Sequence, residues 1–284
     1  MSPPVQDYRG RLFAVKDLPT IPSLHGRILK LFEDPNYSIG EAGRLIEMDQ
    51  VLSSKVLKLV NSPFYGISGN VASVKRAIVL MGSNLIRGLI LSASLFDIAD
   101  KMLPGLWGHS YCASTVAGYL ALKLDLTGRE DVMTGALLHD IGKVLIRKQL
   151  PDESRTIGEA ITAGMVPSYQ AEKTVIGIAH DEVGSWLADT WNLPRIIKNV
   201  ISYHHRPGSC ASHTTEVAVV HMSDIIVKGL GISHREDKFV PHFDEKGWAS
   251  LGLSEDDIGD IVVEIIDMMQ DDLFFPYLRG KDGR

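Results

Sequence analysis

The 284-residue chain is 45% apolar and 23% charged, with a formal net charge of −6. That is the balance of an ordinary globular protein of one large domain or two ordinary ones. It excludes two classes: no dense run of Lys and Arg tracks a nucleic-acid polymer, and only nine uncharged residues separate Arg87 from Asp97 in the most apolar stretch, far short of the ~20 that insert across a membrane. Cys112 and Cys210 make no disulfide framework. The first ten residues carry no apolar signal-peptide core. A reducing cytoplasm is therefore the expected setting.

Taken in chain order, the signals are helical. Residues 1–16 read as a tail. Ser38 and Glu41 form a capping box, in which the hydroxyl accepts from the Glu41 amide. Apolar residues from Leu45 to Val60 then recur at helical spacing, and Pro63 and Gly66 break the run. Further helices are expected at 71–82, 84–99, 109–124, 130–148, 153–164, 168–178, 180–191, 194–205 and 213–229. Thr127 and Glu130 offer a second capping box, and Pro194 suits a first helical turn. After "SEDD" at 254–257, Ile258, Ile261, Ile265 and Met269 mark a last amphipathic helix. No convincing run of alternating strand residues appears, so the fold class is all-α and two-lobed. Breaks near 101–107 and 230–247 suggest an N-terminal lobe at 17–100, a central lobe at 101–229 and a C-terminal segment at 230–284.

The chemistry lies in the central lobe. "GALLHDIGK" places His139 beside Asp140. Composition alone gives about 0.8 such neighbours by chance, and two occur, at 139–140 and 180–181, so the dipeptide decides nothing. The wider series does more. His109, His139, His180, His204 and His205 sit on or at the ends of predicted helices, joined by Asp140 and Asp224. Imidazole with carboxylate suits Zn, Fe, Mn or Ni, and the lack of Cys ligands argues against a structural thiolate zinc site.

Adjacent helical residues differ by about 100°, so His139 and Asp140 flank a site from two sides. Lys143, at i+4 and i+3 from them, is a suitable cation for a phosphate or leaving group. Pro207 and Gly208 should stop the helix near His205 and let the two imidazoles diverge. His25, His213, His221, His234 and His242 read as packing or surface residues, Asp181 and Asp189 as surface charges, and Arg206 as a solvated turn residue.

"WGHS", "LLHDIGK", "AHDEVG", "YHH" and "VVHMSD" resemble, in that order, the HD phosphohydrolase superfamily. "LPTIP", "NSPFYG" and "AIVLMG" narrow the resemblance to the HDOD family, related to the HD-GYP cyclic-dinucleotide phosphodiesterases of bacterial signalling. The resemblance implies one metal site of His109, His139, Asp140 and Asp224. It implies a second of Asp140, His180, His204 and His205, with Asp140 bridging. One or two divalent ions are expected, Fe or Mn first, then Zn or Ni. Asp140 and Lys143 are the residues expected to carry chemistry. "RPGSCASH" replaces the Gly-Tyr-Pro loop of HD-GYP proteins, and Gly105 stands where some relatives carry a Glu for a third metal. The family implies a regulatory output module that binds signalling proteins or a nucleotide-like ligand. An active phosphodiesterase on a cyclic dinucleotide or other nucleotide is the alternative, and a scaffold with a vestigial site is a third.

Overall fold

The computed structural model describes residues 5–13, 23–61, 71–164, 166–234, 237 and 239–271. Among these there is no strand, and the fold is all-α as expected. Helices α1 (Val5–Phe13), α2 (Ser23–Leu31), α3 (Ile39–Glu47) and α4 (Gln50–Val60) come first. The expected tail thus contains a helix, whose Tyr8 and Leu12 are buried against residues such as Leu145 and Ile157. Ser38 caps α3 by accepting from the Glu41 amide at 3.3 Å. Asp49 caps α4 through Leu52 N at 2.9 Å, and its other oxygen meets His25 Nε2 at 2.8 Å. Pro63, Gly66 and the "LPTIP" phrase lie outside the described residues.

α5 (Val74–Met102) covers the two helices expected at 71–82 and 84–99, with a kink where they should meet. Gly82 sits there at φ 74°, a region that favours glycine. α6 (Leu106–Lys123) is buried from Leu106 through Ala121 and packs on α7 (Arg129–Leu138) and α13 (Thr214–Gly229). It is hydrophobic or small on nearly every side because it runs through the core. The Thr127–Glu130 capping box does not form. Gly128, at φ 73°, takes the cap position of α7 and leaves Thr127 one residue outside.

The helix expected at 130–148 is two helices. α7 ends at Leu138 and α8 (Ile141–Gln149) begins at Ile141. Asp140, at φ −95° and ψ 8°, has left the helical region. Its carbonyl accepts from Lys143 N at 3.0 Å, a tight i+3 turn. The break turns the chain at the two residues singled out for chemistry.

α9 (Pro151–Gly164), α10 (Ser168–Ile176), α11 (His180–Thr190) and α12 (Arg195–Tyr203) follow, then a 3₁₀ turn at Pro207–Ser209. Pro194 stands just outside the first turn of α12, and α12 ends at Tyr203, two residues short of the stop expected near His205. One glycine is needed for the site itself. A Cβ on Gly142 of α8 would lie 2.0 Å from the His180 carbonyl oxygen, so its absence lets the start of α11 reach the α7–α8 turn.

α14 (Glu245–Leu251) and α15 (Glu255–Asp271) close the described chain. α15 buries Ile261, Ile265 and Met269 and is pinned to α6 by Glu264, which accepts from Tyr119 and, at 2.9 Å, from Lys123. Among the described residues, no helix is long and apolar enough to cross a membrane.

Candidate metal centre

All seven residues of the predicted series meet in one place, delivered by α6, the α7–α8 turn, α11, the end of α12, and α13. Six of them, His109, His139, Asp140, His180, His204 and Asp224, are at most 1% exposed. His205 is partly exposed. Three sets of ligand atoms lie within 4.8 Å of one another: His109, His139 and Asp224; His139, Asp140 and His204; His180, His204 and His205.

The two oxygens of Asp140 face opposite halves of this cluster. Oδ2 lies 3.7 Å from His109 Nε2 and 3.5 Å from His139 Nε2. Oδ1 lies 3.1 Å from His180 Nε2 and 3.9 Å from His204 Nε2. Asp224 Oδ1 stands on the first side, 3.1 Å from His109 Nε2.

The outer ring nitrogens fix the rings. His109 Nδ1 donates to the Ile232 carbonyl at 3.0 Å, His139 Nδ1 to Ala136 at 2.6 Å, and His204 Nδ1 to Ile201 at 2.9 Å. His180 Nδ1 donates to Glu172 Oε2 at 2.7 Å. A neutral imidazole whose Nδ1 carries the proton presents a lone pair at Nε2. Yet the Nε2 atoms face one another: His109 and His139 at 3.2 Å, His180 and His204 at 3.3 Å, His180 and His205 at 2.8 Å. Asp224 Oδ1 is buried with no hydrogen-bond donor. Converging acceptors of this kind call for a cation, and outer hydrogen bonds that orient imidazoles are how metal ligands are supported. The donor set fits a divalent metal.

Charge follows the same plan. Burial lowers the His139 pKa to about 4 and holds His204 and His205 well below the ordinary range, with neighbouring imidazoles adding to the effect. His180 differs. Burial alone would lower it, but the Glu172 and Asp140 carboxylates reverse this and raise it to about 9. Without an ion, these two carboxylates favour the protonated form of His180. Burial works against ionised Asp140 and Asp224, but Lys143 and Lys228 outweigh it and keep both carboxyls well below their usual range.

Several contributors carried no signal that was read in the sequence. Glu172 on α10 also accepts from His180 N at 2.8 Å, placing an anion at the α11 N-terminus. Lys228 reaches Asp224 Oδ2 at 3.2 Å, and its i+4 spacing was readable. Asp237 and His234 come from the chain after α13. Lys143 is 4% exposed and bonded to Asp140 Oδ2 at 2.9 Å and Asp237 Oδ2 at 3.0 Å. His221, read as packing, accepts from Asp244 N at 3.2 Å and donates to the His204 carbonyl at 2.7 Å, so it braces the turn that carries His204 and His205.

Asp181 is not a surface charge. It is fully buried and paired with Arg206 at 3.1 Å. Arg206 also donates to Tyr169 Oη at 2.8 Å, and the Tyr169 ring lies 4.5 Å from that of His205. These residues roof the partly exposed side of the cluster. Asp189 is half exposed and pairs with Lys198, as a surface charge should.

The HDOD domain family's sequence profile matches residues 18–207. An HDOD domain protein of unknown function from Geobacter sulfurreducens is 26% identical, with a TM-score of 0.73 and 96% of each chain covered. A provisionally assigned phosphohydrolase from Shewanella amazonensis SB2B shares the fold at a TM-score of 0.69 and 22% identity, over 95% of this chain and 97% of that one. An uncharacterized protein of Treponema pallidum (strain Nichols) is 25% identical over 225 residues, 76% of this chain. The chain spans only 43% of that relative's length.

Proposed function

This chain belongs to the HDOD domain family, and from that premise we propose that it is a bacterial, cytoplasmic signal-transduction module with an HD-type centre for one or two divalent metals. It acts chiefly by binding signalling proteins or a nucleotide-like ligand. The observation that carries the metal half is the convergence of imidazole Nε2 atoms with Asp140 and Asp224, in which the His109, His139 and His204 rings already give their Nδ1 proton to backbone carbonyls. Fe or Mn suits the mixed imidazole and carboxylate donors, with Zn or Ni next. A charge count favours a single ion in this conformation. Lys143 and Lys228 face four carboxylates, of Asp140, Asp224, Asp237 and Glu172, so with His180 deprotonated one divalent ion makes the cluster neutral.

The regulatory half rests on enclosure. Six of the seven residues are at most 1% exposed, whereas a hydrolase must admit its substrate. All three hydrogens of the Lys143 ammonium have partners, at Asp140, Asp237 and His234, so it is occupied by the chain itself.

A second reading, a metal-dependent phosphohydrolase acting on a cyclic dinucleotide or other nucleotide, is favoured by one observation: Asp140 turns one oxygen to each half of the cluster, as a bridging ligand would. A divalent pair supplies Lewis acidity toward water and a phosphoryl oxygen. Asp140 would then orient both halves, and Lys143 would steady phosphate charge once released from Asp237.

The test is elemental analysis of protein purified without chelators, beside an Asp140→Ala variant. One or two equivalents of metal in the unmutated protein and a clear loss in the variant are expected. Near-zero metal in both sinks the proposal. If metal is present, a nucleotide turnover screen separates the readings. Turnover that disappears in Asp140→Ala favours the hydrolase.

A further inference from the structure

His205 differs from the other four imidazoles of the centre in three ways. Each of the others has its Nδ1 tied to the protein, His109, His139 and His204 to backbone carbonyls and His180 to Glu172. Among the described residues, the Nδ1 of His205 has no such partner, and its one hydrogen-bond contact is at Nε2. Each of the others stands 3.1–3.9 Å from an oxygen of Asp140 or Asp224. Among the described residues, no carboxylate oxygen comes as near to a ring nitrogen of His205. The other four are fully buried, and His205 is partly exposed.

The backbone separates the two neighbours. His204 N still bonds the last turn of α12, through the Val200 carbonyl at 3.0 Å, and the His204 carbonyl is held by His221. Arg206, at φ −148°, has left the helix, and its amide closes back on the Tyr203 carbonyl at 2.8 Å. His205 thus sits on the turn where the chain departs. What holds its ring is contact with other rings: His180 from inside, Nε2 to Nε2 at 2.8 Å, His204 at 4.1 Å and, on the outer side, Tyr169 at 4.5 Å.

Outer hydrogen bonds orient a metal-ligating imidazole, and losing one lowers metal affinity about 10–100-fold. A ring without one turns about its side-chain bonds at little cost. We infer that His205 is the exchangeable ligand of the centre: its ring swings out while Asp140, His180 and His204 keep hold of the ion, and the position it leaves is open to a donor from solvent. This deepens the metal reading above and rests on it. Metal sites that do chemistry or bind a ligand keep one position open, and sites closed by protein ligands are structural. Here a single side chain decides between the two states. The room it leaves is that of one imidazole, which suits water or a small monoanion.

The experiment uses the full chain, stripped and then loaded with Co(II), and treated with diethyl pyrocarbonate. The reagent acylates an imidazole through a free nitrogen lone pair. A neutral ring bound through Nε2 carries its proton on Nδ1 and offers none. Peptide mapping by mass spectrometry should show that Co(II) slows acylation of His205 without stopping it, while His180 and His204 stay unmodified. A rate unchanged by Co(II) shows that His205 is no ligand. Complete protection shows that it does not leave. Either result overturns the inference.

An azide titration followed by the visible absorption of Co(II) gives a second reading. His205→Ala should keep its Co(II) and bind azide about tenfold or more tightly than the unmutated protein, because it no longer has a side chain to displace. Loss of Co(II) from this variant, or an unchanged azide affinity, overturns the inference. Failure of the unmutated protein to take up Co(II) sinks the metal centre and this inference with it. Stoichiometric Co(II) with His205 fully protected sinks this inference alone.

Discussion

The Asp140 carboxylate and the Lys143 ammonium lie 2.9 Å apart, one at the break between two helices and the other one turn into the second, and both are buried. Removing one partner from such a pair strands the other in a low-dielectric interior, at a cost of ~3–5 kcal/mol. Lys143→Met strands both Asp140 and Asp237. Urea unfolding of the metal-free variant should show a loss of that size with an unchanged slope. A loss below about 1 kcal/mol would mean that Lys228 alone sustains both carboxylates.

Gly142→Ala tests the helix crossing. The added Cβ would meet the His180 carbonyl oxygen at 2.0 Å, a contact that only backbone movement relieves. Overpacking of this kind costs about 1–3 kcal/mol. Because the atom displaced belongs to His180, metal content should fall together with stability. A variant that is destabilised yet fully loaded would place the strain elsewhere.

The metal-free protein should have a two-sided pH profile. His180 is raised from 6.5 to about 9, so the unfolded chain releases its proton first. Its contribution is complete below about pH 6.5 and is lost as pH rises through about 9, on the order of 3 kcal/mol. His139 is lowered to about 4, so its contribution is complete above about pH 6.5 and is lost as pH falls through about 4. Glu172→Gln removes the main group that raises His180 and should flatten the alkaline limb alone. Unfolding free energies across pH 4–10, compared between the two proteins, check both limbs.

Chelation gives a further readout. An ion that binds only the folded state adds about 4 kcal/mol when present at a thousandfold excess over its dissociation constant. Stripped protein should melt several degrees lower and recover on re-addition. Below about pH 9 the entering ion also displaces the His180 proton. Calorimetry in buffers of different ionisation enthalpy should therefore register close to one proton released per cluster filled at pH 7.5.

What the sequence made legible was local. Each candidate ligand sits in a short phrase, most at a helix start or end and Asp224 inside α13, so His109, His139, His180, the His204–His205 pair and Asp224 could be found singly and then joined by resemblance. The break near Gly82 and the end of α12 were readable because glycine admits backbone angles that other residues avoid, whereas proline restricts the residue before it. The break between α7 and α8 was not. No proline marks it, and the apolar period runs through it; packing on α11, which Gly142 permits, accompanies the change of direction. Glu172, Asp237 and the Ile232 carbonyl were illegible for another reason. They act across space from segments with no spacing relation to the ligands, and a carbonyl has no residue identity at all. Lys228 was within reach by its i+4 relation to Asp224. Asp181 was misread because a polar helix residue looks the same whether it meets water or Arg206.

Burial of the ligands also bears on how fast the centre trades its contents. A chelator cannot touch residues that are at most 1% exposed until the fold parts around them, and the Tyr169–Arg206–Asp181 roof is where it would part. Such openings have their own free energy, distinct from that of global unfolding. Removal should then proceed at a rate set by the protein, reaching a plateau as chelator is increased. The centre would record past metal exposure over the lifetime of a closed state, and would not follow the momentary concentration outside.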